Sequence, residues 1–243
     1  MNKTFRELLT GVLLGDAHIR RTGLDKAYIT FEQSKKKFDY ITYLHKLTQE
    51  AGFDLEELKT YTRTDVRYSN RINESLYFRT NSLEELKPFA DLFLNSEGKK
   101  IIPTDIADYL SPRSLAFWIM DDGQQVKRGG VTLCTDSFNS SEISILREAL
   151  LDKFNISSSI HSKKGGKNES IYERIYINKE SLDNIKPLLK EHMHESMLYK
   201  INEIPTGSSN AAENAALTSE NSATKVADSL NSEIDLSSDF GDF

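Results

Sequence analysis

Asp16 and Asp122 each close an apolar run of helical character, LLTGVLLGDAH near the start of the chain and SLAFWIMDDGQ near its middle. An aspartate at the C-terminal end of a helix lies beside unpaired carbonyls and the negative end of the helix dipole, a placement unfavourable by roughly several tenths of a kcal/mol. Its recurrence at equivalent points of two similar segments argues for a use. If the two helices pack side by side, their ends bring the carboxylates together, and like charges there repel unless cations lie between them. Carboxylate oxygens suit Mg²⁺, which keeps waters and takes phosphate oxygens as its remaining ligands. Such a site has the equipment for metal-assisted phosphodiester hydrolysis, in which the ion activates water and stabilises the leaving oxygen. Gly11 and Gly15, with Ala116 opposite, are small enough for close helix approach. Either helix alone reads more simply as a core helix ending in an Asp turn; the pairing favours the chemical reading.

The pairing belongs to an internal repeat. Ser82-Leu83-Glu84-Glu85-Leu86-Lys87-Pro88 recurs as Ser181-Leu182-Asp183-Asn184-Ile185-Lys186-Pro187, and Lys100-Ile101 as Lys200-Ile201. YITFEQS around Phe31 matches VTLCTDS around Leu133. The small drift in spacing fits loop-length changes between two copies of one unit. The 243 residues therefore divide into units over 1–97 and 98–205, followed by 206–243, which reads as a disordered acidic tail.

The whole chain has 31 Lys and Arg against 37 Asp and Glu, and the tail holds seven of the acids and one lysine. The remainder is balanced, so charge placement must decide whether it meets a polyanion. No run of about 18 apolar residues is present, so no membrane span is expected. MNKTFRELL enters helical periodicity without an apolar signal or an Arg- and Ser-rich leader. The expected location is the mitochondrion or plastid if the chain is organelle-encoded, otherwise the cytoplasm, and not outside the cell. Cys134 is single, which excludes a disulfide framework or a cysteine-based zinc site within the chain.

Periodicity predicts helix, two strands, helix, two strands, helix in each unit. In the first, a helix through Phe5, Leu8, Leu9, Val12 and Leu13 precedes strands over 17–23 and 28–34. A helix over 38–51 follows, with Phe38, Ile41, Leu44 and Leu47 inward, then strands over 59–67 and 75–80 and a helix over 83–94. The second predicts a helix from Ser114, strands near Gln125 and over 131–135, a helix over 143–154, strands over 157–163 and 171–177, and a helix over 182–190. Alternation turns Ile29, Phe31, Leu76, Phe78, Leu133, Ile160, Ile175 and Ile177 inward. It turns Thr30, Glu32, Ser34, Tyr77, Arg79, Thr132, His161, Lys163 and Arg174 outward. A solvated sheet face explains that pattern equally well, but two such faces about a pseudo-dyad can follow the grooves of a duplex. Arg63, Arg67, Arg71 and the run Lys35 to Lys37 would then meet phosphates.

Val12-Leu13-Leu14-Gly15-Asp16 and Leu115-Ala116-Phe117-Trp118-Ile119-Met120-Asp121-Asp122-Gly123 resemble the two motifs of the LAGLIDADG homing endonucleases, in their single-chain form. The likeness runs from about residue 5 to 205 and takes in KKIIP, YLSPRSLAFWIMDDG and MLYK. It implies an α+β fold of two pseudo-symmetric αββαββα units, forming a saddle of two antiparallel sheets with the motif helices packed at the pseudo-dyad. It also implies site-specific cleavage of both strands of duplex DNA across a minor groove, leaving short 3′ overhangs. The acid before the motif's final small residue is the family's metal ligand, here Asp16 and Asp122; Gly15 and Asp121, one position earlier, are weaker metal candidates. Lys100 and Lys200 match the basic pocket residues, where an ammonium stabilises added negative charge at the phosphate or tunes the attacking water. A further pocket position is asymmetric, Lys35 against Ser137. Gly15 and the pair Phe117-Trp118 depart from the usual motif.

The resemblance implies Mg²⁺, with Mn²⁺ able to substitute, and a monomer on a long, specific double-stranded DNA site. Tyr28, His18, Arg20 and Lys127 join the outward residues as DNA-binding candidates. His192 and His194 are two apart, which does not suit a helical metal pair, and KKGGKN at 163–168 lacks the Walker spacing. The alternative is an RNA maturase that assists group I intron splicing on the same saddle, without cleavage or in addition to it.

Overall fold

The structure is a computed structural model and describes residues 1–65, 71–164 and 171–204. Helix α1 (Lys3–Leu14) begins where the Asn2 side chain accepts the Phe5 N–H at 2.8 Å, an N-cap that satisfies one free amide. Strands β1 (His18–Thr22) and β2 (Lys26–Ser34) turn at Gly23, whose φ of 69° disfavours any side chain. Helix α2 (Phe38–Glu50), strands β3 (Lys59–Asp65) and β4 (Arg71–Arg79), and helix α3 (Lys87–Phe93) complete the first half. The second half repeats the order with α4 (Pro112–Asp122), β5 (Gly123–Gln125), β6 (Val131–Leu133), α5 (Ser140–Phe154), β7 (Ser158–Lys164), β8 (Ile171–Ile177) and α6 (Lys179–Lys190). Each half forms a four-stranded antiparallel sheet, ordered β1-β2-β4-β3 and β5-β6-β8-β7. The αββαββα unit used twice is therefore present as expected.

Several boundaries and faces differ from the periodicity. Helix α4 starts two residues before Ser114, because Ser111 and Ser114 form a reciprocal capping box with Pro112 in the first turn. Helix α3 is shorter than 83–94, since Pro88 lacks an N–H and belongs in a first turn; a 3₁₀ turn over Glu84–Leu86 precedes it. Phe38 does not face inward. It is exposed, and Tyr40 takes the buried place beside Ile41 and Leu44. Ile160 is also exposed, because the β7 strand extends beyond the helices that cover the sheet, as β3 does.

The core runs without interruption from Phe5 to Ile201, and residues Met1–Glu203 form a single compact body. At its centre α1 packs on α4. A side chain at Gly11 would collide with the Ser114 carbonyl and the Phe117 Cβ, and one at Gly15 would lie 2.5 Å from the Asp121 Cβ. The two glycines thus admit Phe117 and Asp121, where the sequence had pointed to Ala116. Among the described residues, no helix is long and apolar enough to cross a membrane.

Candidate catalytic centre

Each motif helix runs directly into the first strand of its sheet, α1 through Gly15-Asp16-Ala17 and α4 with no intervening residue. Asp16 and Asp122 therefore stand where helix becomes sheet, at the end of the α1–α4 contact. The carbonyls left free at those ends are closed by lysines. Lys100 Nζ donates to the Gly15 and Ala17 carbonyls at 2.9 Å each; Lys200 Nζ donates to the Met120 carbonyl and, at 3.0 Å, to that of Asp121. A cation at a helix C-terminus is favourable and offsets the neighbouring aspartate. Burial pulls the Lys100 amine below its ordinary value, and burial followed by the charge of Lys37 brings Lys200 down to about 8.

Burial, and after it the charge of Asp16, pushes the Asp122 carboxyl up to about 7. A carboxyl whose ionisation is opposed by burial and by a neighbouring acid favours a cation beside it. Among the described residues no three His, Cys, Asp or Glu side chains converge, so Asp16 and Asp122 would supply two ligands and leave the rest to water and phosphate. That donor set fits a hard divalent ion. Lys37 reaches in from the Lys35–Lys37 run, where the sequence had pointed to phosphate contact. Its Nζ lies 2.8 Å from Gln33 Oε1 and 3.9 Å from Asp16 Oδ2. Clefts open on both sides of Lys37, one lined by Asp16, His18, Glu32 and Arg63, the other by Asp122, Gln124, Gln125 and Lys200.

Asp121 is not placed as a metal ligand. It is buried, Oδ1 accepts from Tyr40 OH at 2.8 Å and Gln33 Nε2 at 3.0 Å, and Oδ2 accepts the Asp16 N–H at 3.2 Å. The Gly15 carbonyl is already engaged by Lys100. The sequence reading missed Gln33 and Tyr40, although one signal was available: Gln33 continues the inward row Ile29, Phe31, where a polar residue requires a partner.

The outward candidates of the first sheet share one face. Cross-strand pairing sets His18 against Thr30 and Thr30 against Arg79, Arg20 against Tyr28, Glu32 against Tyr77, and Ser34 against Ser75. Arg79 lies over the Tyr28 ring at 4.7 Å, Arg63 over the Tyr61 ring at 5.6 Å, and Lys35 meets Glu74 at 3.1 Å. In the second sheet, Thr132 pairs with Tyr176, and His161 stacks on Tyr176 at 4.6 Å beside the exposed strand residue Lys163. Lys127 is exposed in the β5–β6 turn. Arg174 is a correction. It is buried, with its guanidinium held by both Asp136 oxygens at 2.6 and 2.5 Å and by Gln124 at 3.3 Å, and is neutralised on the outer face by these neighbours. Arg67 and the Arg71 side chain lie outside the described residues.

The model of the LAGLIDADG DNA endonuclease family matches residues 6–185. The chain belongs to that family. It is 30% identical over 203 residues to the cytochrome b mRNA maturase bI2 of Debaryomyces hansenii, covering 83% of this chain and 74% of that protein. It is 29% identical over 210 residues to the probable intron-encoded endonuclease 1 of Wickerhamomyces canadensis, covering 83% and 85%. Among solved structures it is similar to the homing endonuclease I-WcaI bound to its DNA recognition sequence, with a TM-score of 0.71 and 26% identity over 82% of this chain and 86% of that one. The matched residues take in most of α1 and all of α4, with Asp16 and Asp122.

Proposed function

We propose that this LAGLIDADG protein is a site-specific endonuclease of double-stranded DNA, hydrolysing one phosphodiester bond in each strand with a divalent ion, Mg²⁺ or in its place Mn²⁺, held by Asp16 and Asp122. The observation that carries the reading is the pair of carboxylates at equivalent helix ends, each backed by a lysine bonded to the carbonyls there, at the start of two sheets with polar outer faces. The similarity to I-WcaI in its DNA-bound form supports it.

The bound ion supplies Lewis acidity for water and leaving oxygen. The protein supplies the remainder. Asp16 and Asp122 would hold the ion, and Lys100 and Lys200 would add positive charge near the scissile phosphates, where charge accumulates as the bond breaks. Arg20, Arg63, Arg79 and Lys163 take up the phosphate backbone, and the hydroxyl, amide and aromatic groups between them meet base edges. The two halves, 1–97 and 98–205, each address one side of the site, and 206–243 form the acidic tail. The similarity to a cytochrome b mRNA maturase favours a second reading, binding of group I intron RNA, and an organelle as the place of action.

The test is digestion of a diverse duplex library in Mg²⁺ by the protein and by its Asp16→Asn/Asp122→Asn variant, with sequencing of the new ends. Metal-dependent ends at one long site, absent with the variant, are expected. No cleavage by a folded protein that binds intron RNA would replace this reading with the maturase.

A further inference from the structure

We propose that Asp121 is a positioning residue for Asp16, reaching from the second half of the molecule to fix the metal-binding carboxylate of the first. The proposal rests on the endonuclease reading and concerns a residue that reading leaves unused.

The contacts run one way across the α1–α4 contact. Every donor to the Asp121 carboxylate comes from the first half: the Asp16 N–H, the Tyr40 hydroxyl and the Gln33 amide. Gln33 Nε2 carries two hydrogens and spends the other on Asp16 Oδ2 at 2.9 Å. Its orientation is fixed from behind, since Oε1 accepts Lys37 Nζ at 2.8 Å. Asp121 thus holds the backbone of Asp16 directly and its side chain through one amide. It can do so only because residue 15 is glycine, for a Cβ there would lie 2.5 Å from the Asp121 Cβ and 2.7 Å from Oδ2.

No reciprocal contact from the first half is available, because the residue equivalent to Asp121 is Gly15. None is needed. Helix α4 continues through Asp122 and the Gly123 N–H still reaches the Ile119 carbonyl, whereas α1 ends at Leu14 and leaves the Asp16 N–H seeking an acceptor. The motif with the shorter helix is therefore completed by a carboxylate from its neighbour. Removing that carboxylate strands three donors, two of them buried, which a folded chain does not tolerate without local movement, and the group that moves is Asp16.

The test measures Mn²⁺ binding by electron paramagnetic resonance on the full chain, alone and with the duplex recovered from the library. Single-turnover cutting is followed as a function of Mn²⁺. The proteins are the parent, Asp121→Ala, Asp121→Asn, Tyr40→Phe, Asp16→Asn, and Asp16→Asn combined with Asp121→Ala. Groups that act through one another give non-additive losses, so Asp121→Ala is expected to weaken Mn²⁺ binding about tenfold in the parent and to add nothing to Asp16→Asn. Asp121→Asn keeps an acceptor and a similar shape and is expected to stay within about threefold, whereas Tyr40→Phe, which deletes one donor and no atom a metal could touch, is expected to weaken Mn²⁺ binding measurably, by about threefold. Duplex affinity without metal should be unchanged.

If Asp121→Asn loses Mn²⁺ as Asp16→Asn does, Asp121 is a ligand and the proposal fails. Full additivity with Asp16→Asn also overturns it. Should Asp121→Ala fail to fold, the Asn and Phe variants decide, since unchanged Mn²⁺ binding and unchanged metal dependence of cutting in Tyr40→Phe would contradict the coupling. A parent protein that binds no Mn²⁺ would instead count against the endonuclease reading.

Discussion

At the residue scale the centre is governed by how few charges face one another in a buried space. Asp16 and Asp122 were legible as a pair because the repeat put them at equivalent points, and Lys100 and Lys200 followed from the same register. Asp121 and Asp122 were harder to separate, being adjacent acids at the end of one helix. The structure separates them by direction, Asp121 into the α1–α4 contact against Tyr40 and Gln33, Asp122 into the cleft. Arg174 misled because a cation at an outward register position looks free, and its partner Asp136 sits 38 residues away in sequence. A pH effect belongs here. The Asp122 carboxyl titrates at about 7 in the fold against 3.8 ordinarily, so the folded chain binds the proton more tightly than the unfolded one. Stability from this group is complete below the lower value and is lost as pH rises through the upper one. The melting temperature of metal-free protein should therefore fall from mildly acidic to neutral pH. Asp122→Asn should reduce that slope without abolishing it, because Asp121 is shifted the same way. Mg²⁺ should restore the melting temperature chiefly above neutrality. A slope as steep in Asp122→Asn as in the parent would contradict the assignment.

At the element scale, helix and strand order could be read from periodicity because each sheet buries one face and each helix one stripe. The errors came where that condition fails. The β3 and β7 strands extend past their helices, so neither face is covered and alternation carries no information; Ile160 is exposed for that reason. Helix ends moved where capping side chains, not apolar residues, set them, as Ser111 does for α4. The α1–α4 contact is the element most sensitive to a single change. A side chain at Gly11 meets backbone at Ser114 and cannot be relieved by a rotamer change. Gly11→Val should cost about 1–3 kcal/mol of stability or more, read as a lower urea midpoint at unchanged slope. Leu151→Ala, on an exposed surface, should stay within about 0.5 kcal/mol. Equal midpoints for the two would mean that the helices are not packed through this glycine.

At the scale of the whole molecule, two copies of one unit are joined in one chain, and the joining permits asymmetry. Equivalent sheets present unequal faces, rich in arginine in the first and with its arginine neutralised in the second. Equivalent motif positions hold glycine and aspartate. The repeat made the architecture legible from sequence, whereas these inequalities emerged only from contacts between the halves. The central claim is that both halves address one duplex through a single metal-dependent centre. Two phosphates faced across a minor groove are offset so that cutting both leaves 3′ extensions. The measurement to make is strand-resolved mapping of both cut positions on the recovered duplex, in Mg²⁺ and in chelator. The account predicts staggered 3′ overhangs that disappear on chelation. Blunt ends, 5′ overhangs or cutting that survives chelation would contradict it.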